Sequence, residues 1–120
     1  MASALLIIDA GPLIALSVAD VLPQTIDLYK TLFVPQAVID ECLLDAHVPG
    51  AAAIAHVLHS QGLHVIEQAD IAPLDPAYAM GLGSGEAAVI SYAAQHQHIA
   101  LVDDRKARKK IGRASCRERV

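Results

Sequence analysis

The stretch that most constrains this chain runs from Ala4 to Leu16 and reads ALLIIDAGPLIAL. Leu5 to Ile8 form a continuous apolar run, which is typical of a short strand buried on both faces of a parallel sheet. The run stops at Asp9, and Pro12 suits the first turn of a helix, where its missing N–H costs nothing. A carboxylate therefore stands where a central strand ends and a helix begins. Because open α/β sheets bind ligands at the carboxyl ends of their strands, we expect the chemistry at Asp9.

The rest of the chain alternates between helical and strand patterns. Helices are predicted over residues 12–21, near 26–30, over 36–45 and 51–60, for one turn at 77–80, and to about 97 after an N-cap at Ser84. Further strands are predicted over residues 32–34, 64–66 and 99–102. This order indicates an α/β fold with a mainly parallel central sheet. A length of 120 residues fits one domain with a real core.

Composition narrows the class of protein further. The chain is 54% apolar but only 3% aromatic, which suits helices packed on a sheet better than an aromatic-rich β-sandwich. No apolar run approaches the roughly 18 residues of a membrane span, and residues 1–16 lack the basic start of a signal peptide. Two cysteines are too few for a disulfide scaffold or a cysteine-based zinc site. We therefore expect a cytoplasmic protein without membrane contacts.

The net charge of −4 conceals an uneven distribution along the chain. Residues 1–104 contain twelve acidic residues and one basic residue, Lys30, whereas residues 105–110, RKARKK, contain five basic ones. A basic patch next to paired carboxylates favours a site for a metal ion and a phosphate. The charge pattern is equally consistent with a solvated helix face.

Acidic residues occur at ends of the predicted elements or on helix faces that can converge. They are Asp9, Glu41, Glu86, Asp103 and Asp104. Clustered carboxylates repel one another unless a cation neutralises them, and hard oxygen ligands suit Mg²⁺ or Mn²⁺. Such an ion can promote phosphodiester cleavage.

Each acidic residue also has a structural alternative. Asp9 and Asp104 could cap helices, and Glu41 could be an ordinary exposed helix residue. Glu86 would favour the dipole of its helix with or without a metal. Two strands that both end on acids are the stronger signal, because they place carboxylates together at one edge of the sheet.

Four motifs, IIDAGPLIAL, VPQAVIDE, GLGSGEAAVISYA and ALVDDRKAR, occur in this order over about residues 5–110. Together they resemble the PIN-domain family, in particular the compact prokaryotic members related to toxin–antitoxin ribonucleases. The resemblance implies a three-layer α/β/α fold with a mainly parallel sheet. It also implies an acidic site that binds Mg²⁺ or Mn²⁺ and cleaves single-stranded RNA, a cognate antitoxin and a homodimer.

The resemblance assigns roles to individual residues. Asp9, Glu41 and Glu86 match the first three family acids, and Asp104 best matches the acid after the last strand. The implied metal ligands are Asp9, Glu86, Asp103 and Asp104. Contacts to RNA phosphates are expected from Arg105, Lys106 and Arg108. The family often has Thr or Ser two residues before the last acid, and this chain has Val102 there, so a hydroxyl contact to the site is missing.

Other functional signals are weaker. His56 and His59 could share a metal, but the histidines show no HExxH-like pattern, and the serines lack a nucleophile-elbow context. The GLGSGE segment has no P-loop lysine, and we expect its glycines to form a tight turn before the Glu86 helix. Two rival functions stay open: a non-catalytic nucleic-acid-binding module with the same fold, and a flavodoxin- or receiver-like signalling domain.

The last ten residues, IGRASCRERV, depart from the preceding pattern. The string resembles the in-frame translation of a sequencing adapter. We therefore expect the domain to occupy residues 1–110 and residues 111–120 to be a non-native tail. Because the resembled family continues with another short strand and helix, the C-terminal part of the domain is expected to be missing.

Overall fold

The computed structural model describes residues 5–29, 31–59 and 62–102, and in this part of the chain strands and helices alternate. The strands are β1 (Leu6–Ile8), β2 (Leu32–Pro35), β3 (Leu63–Ile66) and β4 (Ile99–Leu101). The α-helices are α1 (Ala10–Val18), α2 (Leu22–Tyr29), α3 (Gln36–Leu43), α4 (Ala51–Leu58), α5 (Pro76–Ala79) and α6 (Ser84–His96). A short 3₁₀ helix, Gln68–Asp70, follows β3.

The four described strands form one parallel sheet in the order β3-β2-β1-β4. Leu6 of β1 lies opposite Leu32 on one side and Ile99 on the other, so β1 is an interior strand. The apolar run at the start of the chain fits this position, because an interior strand covered on both faces needs apolar side chains in both directions. The α/β fold with a parallel sheet is confirmed.

The helices flank the sheet and enclose the core. α1 packs against α3 and α4, whereas α6 packs against β1, β2, β4 and α3. Ile7, Ile8, Leu13 and Ile54 have no exposed surface. Burial of each such side chain contributes roughly 1.5–3 kcal/mol, and this core fixes the positions of the strand ends.

The strand order excludes the flavodoxin- or receiver-like alternative. In that fold the strands are ordered 2-1-3-4-5, so the first strand pairs with the second and the third. Here β1 pairs with β2 and β4, and β3 pairs with β2. The chain crosses over to the other side of β1 only after β3, so the topological switch point lies between β1 and β4.

Several predicted boundaries differ from the observed ones. α1 ends at Val18 rather than at residue 21, because Asp20 adopts a left-handed conformation with φ of 61° and turns the chain into α2. α4 ends at Leu58, two residues early. The N-cap of α6 is Gly83, and Ser84 is the first helical residue. Glycine is acceptable at an N-cap because it adopts the required backbone conformation without strain.

The lengths of the helices show whether any of them could cross a membrane. The longest described helix, α6, has 13 residues and spans about 20 Å, against the roughly 30 Å of a bilayer core. Among the described residues, no helix has the length and apolarity needed to cross a membrane.

Candidate metal-binding active site

Asp9 lies at the carboxyl end of β1 and caps α1. Its Oδ1 accepts a hydrogen bond from the backbone N–H of Ala10 at 2.8 Å, and its side chain is buried, with 6% exposure. The backbone N–H of Asp9 donates to the carbonyl of Leu101 at 3.0 Å, which ties the residue to the end of β4. The capping alternative is therefore correct. A cap engages one of the roughly four lone-pair directions of a carboxylate, so capping and metal binding are compatible.

The position of Asp9 determines which ligands this edge of the sheet accepts. It stands at the switch point between β1 and β4, where open α/β sheets bind ligands. In dinucleotide-binding folds the following helix N-terminus binds a pyrophosphate. Here the carboxylate of Asp9 occupies that N-terminus, so the edge repels anions and attracts cations.

Glu41 and Asp9 meet at Gly85, the second residue of α6. A Cβ atom at Gly85 would lie 3.4 Å from Glu41 Oε1 and 3.6 Å from Asp9 Oδ1. It would also lie 3.1 Å from Val38 Cγ2 on α3, closer than an ordinary contact. The absence of a side chain at Gly85 therefore lets α6 approach α3, and both carboxylate oxygens border the same small volume.

Glu86 follows Gly85 and lies in the first turn of α6. Its Oε1 accepts a hydrogen bond from the backbone N–H of Gly83 at 3.3 Å, and its Oε2 is shielded from solvent. A carboxylate in this turn is stabilised by the helix dipole, as the structural alternative predicts. Glu86 is also the sequence neighbour of Gly85, on which Asp9 and Glu41 converge.

Cys42 lies behind the two acids on α3 and is fully buried. Burial, together with the smaller effect of the negative charges of Glu41 and Asp9, raises the pKa of the Cys42 thiol to about 11. The thiol is consequently neutral at physiological pH. A neutral, buried thiol is a poor nucleophile, so Cys42 serves as packing under the carboxylates.

We predict that Cys42 in the folded protein reacts with iodoacetamide at pH 8 more than about 100-fold more slowly than in the unfolded chain, because only the thiolate reacts. Intact-mass spectrometry of a Cys116→Ser variant measures this rate. Glu41→Gln should accelerate the reaction, because it removes a charge that raises the thiol pKa. Asp45→Asn, on an exposed residue beyond α3, is the matched control and should not change the rate. A Cys42 that reacts at the unfolded rate contradicts this placement.

The carboxylate oxygens of Asp9 and Glu41 are of the chemical type that binds hard divalent cations. Carboxylate oxygens of Asp9 and Glu41 border the same small volume beside Gly85. Glu86 is the next residue after Gly85 in the sequence. Oxygen ligands of this kind suit Mg²⁺ or Mn²⁺. Within residues 5–29, 31–59 and 62–102, no group of three Asp, Glu, His or Cys side chains is close enough to hold a metal. Asp103 and Asp104, predicted as further ligands, lie outside the described residues, as do Arg105, Lys106 and Arg108.

The role of Gly85 was missed from the sequence. The glycine-rich segment before α6 was expected to form only a turn, which holds for Gly81, whose φ is 81°. Gly85 instead lies inside α6 and makes the close approach to α3. The sequence contains one sign of this role: Gly85 stands in the first turn of a helix, where the backbone conformation does not require a glycine. His56, in the last turn of α4, and His59, at its C-cap, are exposed, as expected for ordinary surface histidines.

Comparison with known proteins identifies a family for the chain. A model of the PIN-domain family matches residues 5–115, which is nearly the whole chain. No curated protein and no solved structure matches it.

Proposed function

The chain belongs to the PIN-domain family, whose members are generally nucleases that bind divalent metals, and on that premise we propose a Mg²⁺- or Mn²⁺-dependent endoribonuclease. Its substrate is single-stranded RNA, and its role is that of the toxin in a cytoplasmic toxin–antitoxin pair. The observation that supports this proposal best is the convergence of Asp9 and Glu41 on Gly85 at the switch point of the sheet.

The acids of the site have distinct tasks in this proposal. Asp9, Glu86, Asp103 and Asp104 would hold the metal, and Glu41 completes the acidic set. The bound ion supplies polarisation of a phosphoryl oxygen and activation of a water. Asp9 is suited to bind it because the cap on α1 and the bond to Leu101 fix its backbone and side chain. Such a preorganised carboxylate needs no rearrangement before it binds.

The basic residues and the partners complete the proposal. Arg105, Lys106 and Arg108 would contact RNA phosphates, which offsets the repulsion between RNA and an acidic body. A cognate antitoxin and a second copy of the chain are the proposed protein partners.

We predict that the protein cleaves a 5′-labelled single-stranded RNA with Mn²⁺ present and that excess EDTA lowers cleavage to background, because the paired carboxylates need a cation to bind phosphate. Gel analysis of the products measures this, and restoring Mn²⁺ should restore cleavage. A duplex of the same sequence is the matched control substrate.

Two outcomes would contradict the enzyme. Cleavage that persists in EDTA would exclude a metal-dependent mechanism. A folded wild type that binds the RNA with Mn²⁺ but leaves it intact would instead indicate the non-catalytic binding module.

A further inference from the structure

A small pocket lies beside the acidic site, between the segment after β3 and the first two turns of α6. Its volume is about 190 Å³. Ile71 and Ala88 are buried and form its apolar floor, and Leu74 is half-buried beside them. The side chains of Gln68 and Ser84 are exposed at its rim. The pocket thus combines an apolar interior with an amide and a hydroxyl at its opening.

The volume restricts the class of ligand. One water takes up roughly 30 Å³ of the liquid, so 190 Å³ is too large for a single water or a bare ion. Pockets for drug-sized ligands and cofactors measure about 300–1,000 Å³, so this pocket is too small for a ligand of that size. A single planar ring system fits between these limits. The described residues that line the pocket carry no charge, so the pocket favours a neutral group.

We propose that this pocket binds one nucleobase of the RNA strand that the site cleaves, and this inference rests on the proposed function. A nucleobase is a neutral ring whose faces pack against apolar side chains and whose edges take hydrogen bonds. The Gln68 amide has both donors and an acceptor, and the Ser84 hydroxyl has one of each kind, so the two can read a base edge. The pocket accordingly sets a base preference next to the cleaved bond.

The pocket is placed and held for this task. Ser84 at its rim is the sequence neighbour of Gly85, on which the Asp9 and Glu41 oxygens converge, so the pocket and the acidic site share the first turn of α6. The hydroxyl of Ser91 donates a hydrogen bond to the carbonyl of Ala72 and ties the wall after β3 to α6. The two walls are therefore held together before any ligand binds.

The test measures binding without cleavage. Fluorescent pentanucleotides of A, C, G or U are titrated with the full chain in Ca²⁺, a hard cation that can neutralise the carboxylates, and the oligonucleotides are checked to be intact after the titration. Wild type should prefer one homopolymer. Ala87→Phe should weaken binding of that oligonucleotide about tenfold, because Ala87 lines the pocket and the larger ring fills it. Gln68→Ala, at an exposed position, should reduce the preference between bases without changing thermal unfolding. Ala94→Phe, on an exposed part of α6 outside the pocket, is the matched control and should behave as wild type.

The outcomes separate the pocket from the nuclease. A preference lost in Ala87→Phe and Gln68→Ala but kept in Ala94→Phe supports the pocket, even if Mn²⁺ produces no cleavage. Equal binding of all four pentanucleotides by wild type, or no effect of either pocket variant, overturns it, even if the protein is an active ribonuclease. Free nucleoside monophosphates with the preferred base should compete weakly, because they carry the same ring. A monophosphate that binds as tightly as the pentanucleotide would assign the pocket to small nucleotides and overturn the RNA-strand role.

Discussion

Asp9→Asn is expected to lower Mn²⁺-dependent RNA cleavage by about 10³-fold, because it removes a central carboxylate from the proposed metal site. A catalytic metal contributes several kcal/mol, and each 1.36 kcal/mol corresponds to a tenfold change in rate. The side-chain oxygen of asparagine can still accept the hydrogen bond from Ala10, since asparagine and aspartate cap helices about equally well. The measurement is the cleavage rate at saturating Mn²⁺, together with thermal unfolding.

A second carboxylate of the same region provides the control. Asp40 is exposed on α3, next to Glu41, and accepts a hydrogen bond from Gln36 at 2.8 Å. Asp40→Asn should keep the wild-type cleavage rate. Asp9→Ala should lose the cap and about 1 kcal/mol of unfolding free energy in addition to activity. Wild-type cleavage by a folded Asp9→Asn protein would remove Asp9 from the site.

The fold was predictable where local pattern and burial agree. The apolar run before Asp9 indicated an interior strand, and β1 occupies that place between β2 and β4. Glu86 was predicted in the first turn of its helix and lies there. Both predictions depend on residues that are close in sequence. The local apolar pattern and the helix dipole therefore suffice to make them.

The arrangement across the sheet was less predictable. Strand order depends on which helix covers which face of the sheet. No local sequence pattern in β3 or β4 indicates that the chain crosses after β3 to the far side of β1. The meeting of Asp9 with Glu41 depends on the close approach of α6 to α3, which Gly85 permits. Asp9 and Glu41 are 32 positions apart in the sequence, so the residue pattern showed only that they could converge, and the family resemblance was needed to assign both to one site.

Gly85 is therefore the residue where packing and chemistry are most directly joined, and Gly85→Val should damage both. The new Cβ would lie 3.1 Å from Val38 Cγ2, so the Val38 side chain must move by a few tenths of an ångström, and the two further methyl groups of valine need additional space. Overpacking of this kind costs about 1–3 kcal/mol of unfolding free energy. The added methyl groups would also enter the volume that the Asp9 and Glu41 oxygens border, so we expect Mn²⁺-dependent cleavage to fall by at least about 100-fold, as when one essential electrostatic group is removed. Chemical denaturation and the RNA cleavage assay measure the two effects.

Two further variants separate the causes of that loss. Ala94→Val introduces the same β-branched side chain at an exposed position of α6 and should cost only about 0.5 kcal/mol of helix propensity, with unchanged cleavage. Gly85→Ala adds the close contact with Val38 but gains helix propensity, so its stability should stay near that of wild type while its cleavage falls. Such a result would show that the acids need the space above Gly85 and not merely a stable helix. If Gly85→Val keeps both wild-type stability and wild-type cleavage, α6 does not approach the acids as closely as described, and the acidic site has to be placed elsewhere.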